Sequence, residues 1–261
     1  DLALREGLPV FQPPSLKDAA VHEQLLRLEP EVIVVVAYGK ILPPAILEIP
    51  PLGCVNVHAS LLPRHRGAAP IAYSIWEGDE RAGASTMHME AGLDTGPVYL
   101  GDSIPMPTAA TTASLTPVLA ALGARLLLAT LEGLRGGSLR RVPQDDALAT
   151  LAPRLKPEQG RLDFREPAAR LERQIRAFTA WPGTFFEVGG ERVKVLSAAL
   201  GSGAPAVAAP GEVVPGPALG GACGDGQTLW LGQIQREGRR PLPSAEVLRG
   251  FPIPPGTRLQ A

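Results

Sequence analysis

The sequence predicts an α/β domain built on a parallel sheet, followed by a smaller unit that is mostly β. Three features predict it. The run EVIVVVAYG (31–39) is rich in β-branched residues with no polar alternation, the pattern of a parallel strand covered on both faces. It follows a strand-like and then a helix-like segment, which is the order of a βαβ unit. Composition then changes near Gly136, where breakers and charge replace apolar periodicity and short β-like pieces follow.

Each element has a local reason. DLALREG reads as the end of a helix with Gly7 as its stop. LPVFQ reads as a short strand, and Ser15 as the cap of a helix through LKDAAVHEQLLRLEP. Leu16, Ala19, Ala20, Leu25 and Leu28 fit a partly buried face of that helix. After EVIVVVAYG comes ILPPAILEIPPLG, a loop broken by four prolines. CVNVHAS is then a strand, APIAYSIWEGD a helix and ASTMHME another strand. The glycine-bounded loop AGLDTG leads into the extended piece PVYLGDSIPM. From Ser114 to Leu134, Leu115, Val118, Leu119, Leu122 and Leu126 recur at helical spacing, and Pro117 fits a helix only in its first turn.

RGGSLRRVPQDDALATLAPRLKPEQG reads as a connection. The helix REPAARLERQIRAFT follows it, then TFFEV and RVKVLSAAL about a Gly-Gly turn. GEVV and TLWLGQI complete a small β unit with one loose loop over 201–222. These readings set a first domain over 1–137, a linker over 138–156 and a second domain over 157–261.

With 261 residues, 45% apolar and 20% charged, the chain can build an ordinary core in each of two domains. Cys54 and Cys223 make no disulfide framework and lack metal-ligand spacing. No unbroken apolar run approaches the ~18–20 residues of a membrane span, and the N-terminus lacks the pattern of a secretory signal. Cytoplasmic residence is the expectation. The net charge of −1 hides an asymmetry: residues 1–149 carry 11 basic against 16 acidic side chains, residues 150–261 carry 14 against 10. A basic second half suits an acidic partner such as RNA, and equally an ordinary solvated surface.

Chemistry concentrates in CVNVHAS. Asn56 and His58 are two residues apart, so a strand puts both on one face and Val55 and Val57 on the other. Pro63 and Gly67 break the chain just beyond, which places the pair near a strand's carboxyl end, where open α/β sheets hold ligands. An amide can donate to a developing oxyanion and an imidazole can move a proton at neutral pH, a combination suited to acyl transfer. Asp94, between Gly92 and Gly96, can orient His58 if neighbouring strands bring the loops together. Without further context such a polar pair is more often structural than catalytic.

NVHASLLPRHRGAAPI, followed by WEGD and AGLDTG, resembles the folate-dependent formyltransferases. LPVFQP, VIVVVAYGKILP and RAFTAWPGTFFE extend the likeness, most specifically to those acting on methionyl-tRNA, over nearly the whole chain. The resemblance implies a Rossmann-like catalytic domain and a small β-barrel domain of OB type. It implies 10-formyltetrahydrofolate as donor, the amino group of methionyl initiator tRNA as acceptor, and no metal. By matching positions, Asn56, His58 and Asp94 would be catalytic, and Ser60, Leu61, Leu62 and Pro63 would line the tetrahydrofolate site. A monomer without membrane contact is expected. Family members carry a further strand–helix–strand segment ahead of the position of Asp1, with a central strand and a tRNA-recognition loop. The alternatives are therefore a truncated chain that does not catalyse, an amino-sugar formyltransferase, or a formyl-folate hydrolase-like domain.

Other residues attract attention for less specific reasons. His65 and His88 match no zinc spacing and read as structural or solvent-facing. Arg64 and Arg66 suit either a folate tail or phosphate contact, or plain solvation. Trp181, Pro182, Phe185 and Phe186 read as packing for the second core. Arg236, Arg239 and Arg240 form a basic cluster that fits tRNA backbone or a solvated face.

Overall fold

A computed structural model describes residues 2–201 and 208–260. Helix α1 (Leu2–Arg5) ends before Gly7, which turns the chain with φ of 69°. Residues 8–15 form no strand, contrary to the reading of LPVFQ: Leu8, Val10 and Phe11 are exposed and pair with no ladder. β-prone residues make a strand only against a partner edge and a buried face. Helix α2 (Ala19–Arg27) is capped by Asp18, whose carboxylate accepts from Ala20 N at 3.0 Å, and not by Ser15. Strand β1 (Ile33–Val36) is followed by α3 (Pro44–Leu47), a short helix inside the proline-rich loop. Pro44 opens it, where a missing N–H costs nothing.

Strands β2 (Cys54–His58), β3 (Arg81–His88) and β4 (Val98–Pro105) complete a four-stranded sheet in the order β1-β2-β3-β4. Helix α4 (Pro70–Trp76) lies between β2 and β3. Only β1 and β2 run parallel; β2–β3 and β3–β4 are antiparallel. The expected parallel sheet is thus corrected to a mixed one. β1 is also not covered on both faces: it lies at the sheet edge, its burial alternates, and Val34 and Val36 are exposed.

Helix α5 (Thr112–Arg135) covers one face of this sheet with Leu115, Leu119, Leu122 and Leu126 buried. Thr111 and Ser114 form a reciprocal capping box, so the helix starts early enough to put Pro117 in the second turn, not the first. Gly123 allows the close approach: a Cβ there would lie 2.7 Å from Val57 Cγ1. The Thr86 and Thr130 hydroxyls join strand to helix at 2.7 Å. By length and composition α5 is apolar enough to cross a membrane, but here its leucine stripe packs on the sheet.

The second half holds α6 (Ala168–Ala177), β5 (Thr184–Val188), β6 (Glu191–Val195), β7 (Ala198–Leu200), β8 (Val213–Val214), β9 (Leu219–Ala222), β10 (Thr228–Leu231), β11 (Gln233–Arg236), β12 (Leu242–Pro243) and α7 (Ser244–Gly250). These strands form two antiparallel sheets, β7-β10-β9-β8 and β12-β11-β6-β5. Both contribute to one core that includes Leu171, Phe186, Val193, Leu219, Leu229 and Ile234. Gly189 and Gly190, both at positive φ, make the turn between β5 and β6. Part of the stretch expected to be loose is strand β9; residues 202–207 of it lie outside the described residues.

The two halves share packing. Phe178 meets Trp76 edge-on at 5.0 Å, Arg170 lies 4.8 Å over the same indole, and Arg173 Nε donates to Trp76 O at 3.0 Å. Ala152, Leu155, Ala177 and Phe178 belong to the core beneath α5.

Burial pushes the Cys54 thiol up to about 11, and burial, reinforced by Asp225, pushes Cys223 up to about 12. Both thiols are therefore protonated and shielded at pH 8. Iodoacetamide labelling followed by mass spectrometry should modify neither in native protein and both in denaturant; rapid native labelling of either would contradict this packing.

Candidate active site

β2 places its side chains as a strand must. Val57 faces α5, while Asn56 and His58 face the opposite side of the sheet. His58 is only 5% exposed. Its Nε2 lies 2.9 Å from the His65 carbonyl oxygen, which can only accept, so Nε2 carries a proton. The remaining ring nitrogen, Nδ1, faces Asp94 Oδ2 at 3.7 Å. The Asp94 carboxylate also accepts from Asn56 Nδ2 at 3.3 Å and from Gly67 N at 2.8 Å. The three residues singled out from the sequence thus converge on one site.

They converge by an unexpected route. Because β3 is antiparallel to β2, His88 at its end pairs with Val55 near the start of β2, and Ser85 pairs with His58. The loop 89–97 must double back along the sheet to bring Asp94 to His58. Asp94 adopts φ of 52° to do so, a left-handed conformation uncommon for a residue with a side chain. Gly96 is needed in the same turn, since a Cβ there would lie 1.9 Å from His88 O.

Two residues that sequence reasoning passed over hold this arrangement. Gln144 Nε2 donates to the carbonyls of Asp94 and Gly96 at 2.8 and 2.6 Å. Its Oε1 accepts from Arg66 Nε and Nη2 at 3.0 and 2.9 Å. Thr150 accepts from His65 N through its hydroxyl at 2.9 Å and from Arg66 N through its carbonyl at 2.8 Å. Gln144 and Thr150 lie in a breaker-rich stretch with no local motif, so nothing near them in the sequence announces a site.

The segment Ser60 to Pro63 braces itself. The Ser60 hydroxyl donates to Arg64 O at 2.6 Å, and Ser85 Oγ donates to Ser60 O at 2.8 Å while accepting from Leu62 N at 3.2 Å. Ser60 is buried, whereas Leu61, Leu62 and Pro63 are half-buried and offer apolar surface. Leu61 crosses Gly83, where a Cβ would meet its side chain at 2.6 Å. A cavity of about 300 Å³ on this side is lined by Ser60, Leu61, Arg64, His65 and Asp79, and does not include Asn56 or Asp94.

Other candidates separate into structural roles. His65 is buried, with Nε2 2.7 Å from Asp79 Oδ2, and Arg64 pairs with the other Asp79 oxygen. Arg66 is 6% exposed, with Nε and Nη2 bonded to Gln144 and Nη2 also to Asp146, so simple solvation does not describe it. His88 contacts Tyr99 OH at 3.1 Å, and burial together with Arg141 pushes its imidazole pKa down. Phe186 sits in the second core as expected, but Trp181 does not: it is 56% exposed, with Nε1 donating to Leu155 O at 3.4 Å. Arg236 pairs with Glu191 at 2.7 Å, while Arg239 and Arg240 are exposed. Among the described residues, no group of three His, Cys, Asp or Glu side chains is placed to hold a metal ion.

Comparison with known proteins decides the family. Residues 3–131 match the formyl transferase family model, and residues 154–252 match the formyl transferase C-terminal domain. The methionyl-tRNA formyltransferase of Pseudomonas paraeruginosa is 48% identical over 94% of this chain and 79% of its own length. That of Myxococcus xanthus is 46% identical over 99% of this chain and 82% of its own. The chain belongs to the methionyl-tRNA formyltransferase family. Solved structures agree in fold. The Clostridium thermocellum methionyl-tRNA formyltransferase aligns with TM-score 0.54 and 22% identity over 70% of this chain and 78% of that one. HypX from Aquifex aeolicus, solved with tetrahydrofolic acid, aligns with TM-score 0.64 and 21% identity over 90% of this formyltransferase chain, which spans 41% of HypX.

Burial alone would raise the Asp79 carboxyl, but hydrogen bonds and charge from His65 and Arg64 outweigh it and hold the pKa below its ordinary value. A depressed folded pKa contributes stability above the unfolded carboxyl value of about 3.9, and that contribution is lost as pH falls through the folded value. Asp79→Asn should therefore cost about 1–3 kcal/mol at pH 7. Denaturant titrations at pH 7 and below pH 4 should show the difference from wild type shrinking in acid. An equal difference at both would refute the pairing.

Proposed function

We propose that this chain transfers a formyl group from 10-formyltetrahydrofolate to the amino group of methionyl initiator tRNA, with Asn56, His58 and Asp94 acting on the reacting atoms. The observation that carries the reading is the single carboxylate of Asp94 touching Asn56 and facing Nδ1 of His58, in a chain 48% identical to a methionyl-tRNA formyltransferase.

The chemistry follows from the donors present. The acceptor amine attacks the formyl carbon, the carbonyl π-bond opens, and negative charge gathers on the formyl oxygen. Asn56 uses one amide N–H for Asp94 and has a second to offer that oxygen. With Nε2 committed to His65 O, His58 meets the substrates through Nδ1, and in its doubly protonated form donates there to the same oxygen. Asp94 accepts the proton that the amine must release, directly or through one water. Collapse of the intermediate breaks the bond between the formyl carbon and the folate nitrogen, which leaves with the proton that Asp94 took from the amine. The half-buried apolar edge of Leu61, Leu62 and Pro63, with Ser60 bracing it, is the surface for the tetrahydrofolate ring system.

The same reading takes 1–137 as the catalytic domain, 138–156 as a linker and 157–261 as an OB-type barrel that meets tRNA. The protein then works as a cytoplasmic monomer in translation initiation, and exposed Arg239 and Arg240 suit a phosphate backbone.

The test is formylation of charged initiator tRNA by the purified chain with 10-formyltetrahydrofolate. His58→Ala should lower kcat by roughly 10²–10⁴-fold with tetrahydrofolate binding nearly unchanged, and KM for tRNA should rise steeply with salt. Near-normal turnover of His58→Ala would sink the residue assignment. Formylation of an amino sugar nucleotide in place of tRNA would replace the acceptor.

A further inference from the structure

Gln144 has all of its hydrogen-bonding capacity committed to two partners that the site needs. Its oxygen takes two guanidinium N–H groups from Arg66, and its nitrogen gives to two backbone carbonyls, those of Asp94 and Gly96. The amide orientation is unambiguous, because a guanidinium only donates and a carbonyl only accepts. Arg66 is itself a firm anchor. Its backbone makes two rungs with the connecting segment, Arg66 N to Thr150 O at 2.8 Å and Ala152 N to Arg66 O at 2.7 Å, and its Nη2 reaches Asp146 Oδ1 at 2.8 Å.

The loop it holds needs holding. It doubles back against the direction of β3, carries Asp94 at φ of 52°, and passes too close to His88 O for any side chain at Gly96. A residue kept in such a conformation persists only when its surroundings over-determine it. The bonds to the Asp94 side chain come from Asn56 and Gly67, inside the site, where substrate groups compete for the same atoms. The bonds from Gln144 grip the backbone of the loop and use none of the Asp94 carboxylate atoms.

We propose that Gln144 is a positioning residue for formyl transfer: by bridging buried Arg66 to the backbone of the 89–97 loop, it sets the Asp94 carboxylate against Nδ1 of His58. This rests on the assignment of Asn56, His58 and Asp94 made above. It gives the segment between the two domains a part in catalysis without any contact with the reacting atoms.

Gln144→Glu separates the two halves of the bridge. A glutamate still accepts from Arg66, as a stronger partner, but loses both donors and turns an oxygen towards the carbonyls of Asp94 and Gly96. The expected result is a kcat lowered roughly 10- to 100-fold, the scale of a misplaced catalytic group. Donor KM should stay within about threefold, as a remote positioning role requires, and kcat is compared per folded molecule because the two lost hydrogen bonds also lower the melting temperature. The ¹⁵N signal of His58 Nδ1 should move towards its value in Asp94→Ala, a readout independent of turnover. Wild-type kcat with an unmoved His58 signal would overturn the proposal. Gln144→Met removes both halves and covers the case in which the glutamate destabilises the fold. Unchanged kcat per folded molecule, with only the melting temperature lowered, would also overturn it. His58→Ala run alongside distinguishes the two levels: normal turnover there refutes the site itself, whereas an inactive His58→Ala beside a normal Gln144→Glu refutes only the positioning role.

Discussion

The Asp94 carboxylate is where separate parts of the chain are made to agree. It takes hydrogen bonds from the side-chain amide of Asn56 on β2 and from the backbone of Gly67, and it faces a histidine whose other nitrogen is already committed. Its own backbone is turned into the left-handed region and pinned from behind. Remove any one of these and the carboxylate has other positions to occupy. The sheet supplies Asn56 and His58 as a fixed pair, two residues apart on a strand packed on α5, but a fixed pair is only half of the arrangement. The rest of the site depends on a loop being bent against the natural exit of its strand.

That bend marks the limit of what could be read from residues alone. Period-two spacing put Asn56 and His58 on one face, and the structure agrees, because strand geometry leaves no alternative once β2 forms. The helices α4, α5 and α6 were legible, α5 from its leucine periodicity, and the second half was legible as β-rich from its turns. Strand direction was not. A short apolar run carries no record of whether its neighbour runs parallel or antiparallel, so the mixed sheet and the exposed edge at β1 had to be observed. LPVFQ shows the same lesson at smaller scale: propensity without a partner edge leaves an extended, exposed segment. Gln144 and Thr150 were illegible for a different reason. Their partners lie 48 to 87 residues away, and no local pattern encodes a contact of that separation.

The two halves of the molecule are also less independent than their compositions suggest. The indole of Trp76 is contacted by both Arg170 and Phe178, and residues from the connecting segment complete the core under α5. α4, which follows directly from the Ser60 to Gly67 segment, is therefore fixed from the far side by the second half. The stability of the loop that frames the candidate site is set partly by packing well outside it.

The rungs between Arg66 and residues 150–152 have a consequence for modularity. The family match for the first domain ends at residue 131 and that for the second begins at 154, so Gln144, Thr150 and Ala152 fall in the gap between them. A protein trimmed to the first match would keep Asn56, His58 and Asp94 yet discard the brace behind them. In this enzyme family member the inventory of reacting groups and the smallest piece able to hold them in register are two different lengths of chain.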